Sequence, residues 1–365
     1  MNWKRLRSDI QVVLWPWVMA RVIVGMAFVT ATAIADQMTS KPQQLTEGLI
    51  TWDGTWYRDI AQFGYGFDQS ALRFFPGFPL LGRFLSPLFA GNDSLALIVL
   101  ANVFSLAAAV ALYRLVRFEK GNDALAQRTV WLLCFFPAAF VLVFGYAESL
   151  WLFGAIVCFG AIRSRRWLWA IAAGIVLGLT RPLGVVMALP ILIELIRVWP
   201  RTEWKERIQG GLAVLSPGIG TGIYMLWVNN AYGDMWLPFS TQSDLRGDFV
   251  FPLWRVIDGF TDVFGAQKFG DGLHIPFAVV FIVLAVLTFR YWPVSYAAFS
   301  AVVLFIALGA ENLNSVERYG LNAFPLVMTA AVLLRAKKAE QLTMLILSAG
   351  LLAMTTLAWT GAYVP

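Results

Sequence analysis

The chain has 365 residues, 59% of them hydrophobic and only 14% charged, with a net charge of +6 and a mean hydropathy of +0.68. A soluble domain carries about 25% charged residues, so a soluble globule is excluded: there is too little charge to coat it. At roughly 20 apolar residues per crossing, the length accommodates about a dozen membrane spans with short loops. The basic balance, with a sequence pI of about 9.4, is not a nucleic-acid signature, because the basic residues lie in short connections between apolar stretches. No nucleic-acid partner is expected.

The start is basic (Lys4, Arg5, Arg7) and leads into an apolar run over 11–34. That run is too long for a secretory h-region and no cleavage site follows it, so a retained first helix is expected. Further spans are expected at roughly 94–116, 126–144, 147–162, 167–180, 183–199, 210–228, 273–290, 293–309, 320–335 and 341–360, about eleven in all, with boundaries good to about two to four residues. Arg21 falls inside the first span and is expected to snorkel toward water. Cys134 and Cys158 both lie in apolar segments and read as packed thiols, not a disulfide framework. The chain reads as a single integral membrane domain over 1–365. Two connections are long: a first loop at about 35–93 and a second at about 229–272.

The stretch 167–199 is too long for one crossing and slightly short for two. As one helix it would be about 50 Å long, against a hydrocarbon core of about 30 Å. It breaks at Thr180-Arg181-Pro182, and both flanks are basic (Arg163, Arg165 and Arg166; Arg197, Arg201, Lys205 and Arg207). Basic flanks on one side require two crossings, so a hairpin with Arg181 at its tip is expected. With the N-terminus in the cytoplasm, the basic residues collect in cytoplasmic loops as the positive-inside rule requires. The acidic residues, among them Asp53, Asp93, Glu148, Asp244, Asp262 and Glu317, fall on the other side.

That outer side is where chemistry is expected. The first long loop reads Trp52-Asp53-Gly54-Thr55-Trp56-Tyr57-Arg58-Asp59 and continues with Arg73-Phe74-Phe75-Pro76-Gly77-Phe78-Pro79, setting acids among aromatics, Gly and Pro. Trp56, Tyr57, Ile60 and Ala61 have helical spacing, so a short helix is expected just after Asp53. Two roles stand open for Asp53. It is an N-cap on an interfacial helix, or a water-shielded carboxylate able to act as general base beside rings that suit a sugar face. Other polar residues gather on the same side: Tyr146, Glu148 and Ser149; Arg181; and Glu317-Arg318-Tyr319. Arg181 and Arg318 either make structural salt bridges, such as Arg181 with Glu148, or hold an anionic group, for which the guanidinium fork is suited. His274, the only histidine, reads as an interfacial residue. It offers no metal cluster.

At these residues the chain resembles the GPI mannosyltransferase II (PIG-V) family and its bacterial relatives, membrane glycosyltransferases of the GT-C type. The resemblance is carried by Trp52-Asp53 with Trp56-Tyr57, by Phe74-Phe75-Pro76-Gly77-Phe78-Pro79-Leu80, by Phe136-Pro137-Ala138 and by Tyr146 with Glu148-Ser149-Leu150. It continues through Thr180-Arg181-Pro182, Tyr232-Gly233-Asp234 and Arg318-Tyr319 with Phe324-Pro325, over roughly residues 10 to 335. Ala147 stands where the pattern has Thr or Ser, and Asn322 where bacterial relatives often have Pro. The resemblance implies an all-α polytopic GT-C-type fold and an inverting transfer of mannose from a polyprenyl-phosphate donor to a lipid-linked or glycolipid acceptor on the extracytoplasmic face. It implies Asp53 as general base, Arg181 and Arg318 on the donor phosphate, and Trp52, Trp56, Tyr57, Glu148 and Tyr319 around the sugar and acceptor. No cofactor and no metal are implied. Composition suggests a bacterial plasma membrane, or the endoplasmic reticulum if the source is eukaryotic. The rival readings are a transporter or flippase, and a non-catalytic subunit that binds a glycolipid.

Overall fold

The computed structural model describes residues 3–265 and 271–365. The stretch 266–270 of the second long loop, and the side chains of Lys4, Asp244, Leu245, Arg246, Asp262 and Phe264, lie outside the described residues. The helices are α1 (Trp3–Ala35), α2 (Gln43–Glu47), α3 (Asp53–Phe63), α4 (Gly77–Leu85), α5 (Asp93–Lys120), α6 (Asp123–Phe135), α7 (Glu148–Arg163), α8 (Trp167–Thr180) and α9 (Ala188–Val198). They continue as α10 (Trp204–Tyr232), α11 (Leu237–Arg246), α12 (Pro252–Phe264), α13 (Asp271–Tyr291), α14 (Val294–Leu308), α15 (Val316–Asn322), α16 (Pro325–Leu333) and α17 (Lys337–Thr360).

Most of the apolar stretches expected to span are helical over most of their length. Six segments are long and apolar enough to cross a bilayer, namely Arg5–Ala35, Asp93–Lys120, Pro182–Arg201, Trp204–Tyr232, Asp271–Tyr291 and Lys337–Thr360. The stretches 126–144 and 320–335 differ from expectation, because neither is one continuous helix. α6 stops at Phe135, before Pro137, and the chain then makes a 3₁₀ turn over Ala139–Leu142. α15 and α16 are separated at Ala323 and Phe324, just before Pro325. Phe136, before Pro137, is steered out of the helical region (φ −54°, ψ 138°), whereas at the second break it is Ala323 that leaves it (φ −74°, ψ 57°) and Phe324 stays helical.

A break between helices at membrane depth leaves backbone carbonyls that water cannot reach. Arg21 answers this need. Its Nη2 donates to Leu142 O at 3.0 Å and to Ser105 Oγ, and its Nε donates to Asn102 Oδ1 at 3.1 Å. Asn102 Nδ2 in turn donates to Val143 O at 2.9 Å. Arg21 therefore turns inward instead of snorkelling, because the broken segment offers it carbonyl partners.

The hairpin at Arg181 is present. Arg181 is extended (φ −155°, ψ 151°) ahead of Pro182, and a 3₁₀ segment over Pro182–Met187 folds back on the last turn of α8. Arg163, at the end of α7, ion-pairs with Glu194 of α9 at 3.0 Å and with Glu119 of α5 at 2.7 Å. Ser295 and Tyr296, in the first turn of α14, donate to the same carboxylates. The ends of α5, α7 and α9 and the start of α14 thus meet at one end of the bundle, as two crossings by 167–199 require.

α8 is held against α10 by glycines. A Cβ on Gly178 would sit 2.0 Å from the Pro217 carbonyl oxygen, and one on Gly174 would lie 2.1 Å from Ser216 Oγ. Small residues one turn apart let two backbones touch, and this contact fixes the helix that ends at Arg181. Gly178→Ala should therefore lower the thermal midpoint of the detergent-solubilised protein, by an overpacking cost of about 1–3 kcal/mol. Gly211→Ala on α10, where a Cβ meets nothing within 4 Å, is the control and should show no loss.

Candidate active site

The first long connection is a folded cap. Tyr57, Ile60, Phe74, Phe75 and Phe78 form a hydrophobic cluster of their own with Leu97 and Tyr224. Backbone carbonyls of the cap are tied to α10: Tyr224 Oη donates to Leu72 O at 2.8 Å and Tyr232 Oη to Tyr65 O at 3.0 Å. The Gly145 N–H donates to Leu49 O at 2.8 Å and joins the cap to the segment that leads into α7. On its inner side the cap encloses a cavity of about 720 Å³.

Trp52, Asp53, Trp56, Tyr57, Arg181, Arg318 and Tyr319 all line this cavity, although they come from three distant parts of the chain. Asp53 sits in the first turn of α3 and does not cap it. The N-cap position is Trp52, with no side-chain capping bond. The Asp53 carboxylate instead accepts through Oδ2 from Arg318 Nη1 at 2.7 Å. Among the described residues, no group donates to Oδ1. The Asp53 backbone N–H reaches Tyr146 Oη at 3.3 Å.

Glu148 does not line the cavity. It lies behind it, 1% exposed, at the start of α7, where the helix dipole favours a carboxylate. Its Oε1 accepts from Arg181 Nη1 at 2.6 Å. Arg318 Nε lies 3.2 Å from the same oxygen but is not aligned for a hydrogen bond, so that contact is electrostatic alone. Asp53, Arg318, Glu148 and Arg181 form a chain of alternating charge. Burial by itself would lower the Arg318 pKa, but Glu148 and then Asp53 more than reverse this and hold it well above the ordinary guanidinium value. Burial, with Glu148 next, raises the Tyr57 phenol, so it stays protonated.

The aromatic residues divide by role. Trp52 is fixed from outside the cap, donating its indole N–H to Ala358 O at 2.9 Å. Trp56 stacks on Phe74 with centroids 5.6 Å apart. Tyr57 packs edge-on against Phe74 and Phe78. Trp52 and Ser315 have positive φ, 57° and 70°, a conformation that costs about 1–3 kcal/mol outside glycine. They immediately precede α3 and α15, the helices that carry Asp53 and Arg318. The strained residues aim the two helix starts at each other.

Beneath Arg318 lies a second buried group that sequence reasoning missed. Glu317 is fully buried and accepts from Tyr363 Oη at 3.0 Å, and it pairs with His274 Nδ1 at 2.8 Å. His274 is 2% exposed, so it is not an interfacial residue as expected. Glu317 supplies the partner that brings it inside. Val364 and Pro365 complete the cavity wall, and nothing near them in sequence marks them for that place. Among the described residues no three His, Cys, Asp or Glu side chains gather as a metal-binding group.

Residues 9–191 match the family described as Mannosyltransferase (PIG-V). GPI alpha-1,6-mannosyltransferase 2 of Rattus norvegicus is 35% identical over 147 residues, covering 36% of this chain and 30% of that protein. Its counterpart in Mus musculus is 35% identical over 155 residues, covering 39% and 31%. The matched stretch thus spans under a third of the length of these curated relatives. Among solved structures, ArnT from Cupriavidus metallidurans bound to undecaprenyl phosphate superposes with a TM-score of 0.52 at 15% identity, covering 90% of this chain and 62% of that one. That likeness concerns the fold, and it bears out the GT-C-type architecture.

If Glu148 is the common anchor of Arg181 and Arg318, Glu148→Ala should cost about 3–5 kcal/mol, the usual loss when one partner of a buried ion pair is removed. Combining it with Arg181→Ala should lose less than the sum of the two single losses. Thermal unfolding of all three variants in one detergent measures this, and strictly additive losses would show that the pair is not coupled.

Proposed function

The chain belongs to the mannosyltransferase (PIG-V) family, and from that membership we propose that it transfers a mannosyl group from a polyprenyl-phosphate donor to a hydroxyl of a lipid-linked or glycolipid acceptor. The carrying observation is Asp53 on the cavity wall, with one carboxylate oxygen engaged by Arg318 and the other open. A carboxylate fixed in this way is oriented for proton abstraction without being consumed by its neighbours. The surrounding Trp52, Trp56, Tyr57 and Tyr319 offer ring surface and hydroxyls to a sugar.

The reaction is a single in-line displacement. The acceptor hydroxyl gives its proton to Asp53 Oδ1 as its oxygen forms a bond to the anomeric carbon. The bond from that carbon to the phosphate oxygen breaks on the opposite face. The electron pair leaves with polyprenyl phosphate and the anomeric configuration inverts. The developing charge on phosphate needs donors already in place. Arg181 and Arg318 bring N–H groups beyond those bonded to Glu148 and Asp53, because a guanidinium has five. The undecaprenyl phosphate bound by ArnT supports a lipid-phosphate donor. The clustering of basic residues at the far end of the bundle supports a site on the extracytoplasmic side, with the N-terminus in the cytoplasm.

The test is transfer from polyprenyl-phosphate mannose by membranes carrying the wild-type chain, Asp53→Asn or Asp53→Ala, with mass analysis of the product. Both variants should lose at least about a hundredfold in turnover, the usual contribution of a general base. Near-normal turnover in both would remove Asp53 from the mechanism. A product that forms only from a sugar nucleotide would reject the donor class.

A further inference from the structure

Arg73, Arg181 and Arg318 all line the cavity, but their surroundings differ. Arg181 is bonded to Glu148 and Arg318 to Asp53. Arg73 has no ion pair and no side-chain hydrogen bond among the described residues. Its guanidinium carbon lies 4.8 Å from the ring centroids of both Trp56 and Phe74. A guanidinium lying over aromatic rings points its N–H groups outward in its own plane, and that edge is what a phosphate accepts from. Glu47 also lines the cavity, but its oxygens accept from Gln43 Nε2 at 2.7 Å and Thr51 Oγ1 at 3.1 Å. Burial depresses the Arg73 pKa, and Asp53 is the largest opposing influence. Arg318 shows the opposite balance, its carboxylate neighbours outweighing burial. Arg73 is thus a half-buried cation short of an anion.

We propose that Arg73 receives the phosphate of the incoming lipid-phosphate sugar, a phosphodiester with one negative charge, while Arg318 stays with Asp53 and Arg181 with Glu148. The assignment rests on the glycosyl-transfer reading above. Its physical advantage is that neither ion pair has to break for the donor to bind. Arg318 and Arg181 have N–H groups to spare, but the charge of each is already offset by Asp53 and Glu148, so a phosphate meeting either of them first is held less strongly than by Arg73. When the bond to the anomeric carbon breaks, the phosphate goes from one negative charge to two. The cation with least compensation, Arg73, then gains most from the change.

The test is equilibrium binding to the purified full chain in nanodiscs, with undecaprenyl phosphate and uncharged undecaprenol as the two probes. Arg73→Gln should weaken undecaprenyl phosphate binding by about ten- to a hundredfold, as expected for loss of a charged hydrogen-bonding partner, and leave undecaprenol binding and the thermal midpoint unchanged. Arg73→Lys should recover part of the loss. In turnover, Arg73→Gln should raise the donor KM and spare the acceptor KM. Equal phosphate binding by wild type and Arg73→Gln would overturn the role of Arg73 and leave the glycosyl-transfer reading standing. A parallel loss with both probes would make Arg73 a packing residue and also overturn it. If the wild-type chain does not bind undecaprenyl phosphate, the donor class falls and Arg73 falls with it.

Discussion

Glu148 is a carboxylate buried among membrane helices, and a buried charge is costly without partners. Its partners here come from two places far away in the chain. Arg181 comes from the break after α8, and Arg318 comes from the short α15. Offsetting the charge of this one carboxylate, whose Oε1 faces both arginines, brings the end of α8 and the start of α15 to the N-terminus of α7. Arg318 then reaches forward to Asp53, and the cap formed by the first long connection closes over the group. The cavity forms where these constraints meet.

The same demand for polar satisfaction shapes the rest of the bundle. At the other end of α7, Arg163 lies between Glu119 and Glu194, which also accept from Tyr296 and Ser295. Along the depth of the bundle, Arg21 and Asn102 cover carbonyls freed where α6 stops. α7 is thus held by charge at both ends and by apolar packing between. For a helix of 16 residues, about 24 Å long at roughly 1.5 Å per residue, that arrangement fixes its position along its own axis. The residues at its start inherit this rigidity, which a site needs if its groups are to hold a fixed geometry.

The backbone stores strain at the same place. Trp52 and Ser315 hold left-handed conformations without being glycine, and each is fixed by what surrounds it. Trp52 is anchored by its indole bond to α17, and Ser315 is followed directly by the buried run Val316, Glu317 and Arg318. The Glu317, His274 and Tyr363 group lies beneath Arg318 and links α13, α15 and the segment after α17. Arg318 is thereby held from below by fixed helices and from the front by Asp53.

The sequence by itself determined the membrane character, the positions of most of the long apolar helices, the hairpin at Arg181 and the gathering of Asp53, Glu148, Arg181 and Arg318 on one side. These follow from local rules: apolar length, the effect of proline on the preceding residue, and the segregation of basic from acidic loops. Tertiary structure alone decided how those charges pair. A sequence contains no distance between Arg181 and Glu148, or between Arg318 and Asp53, and either arginine could have faced either carboxylate. It also decided that His274 is buried, that Arg21 turns inward and that Arg73 has no ion-pair partner among the described residues. Each of these depends on which groups meet across helices far apart in the chain, and burial, by removing water as the alternative partner, makes those meetings obligatory.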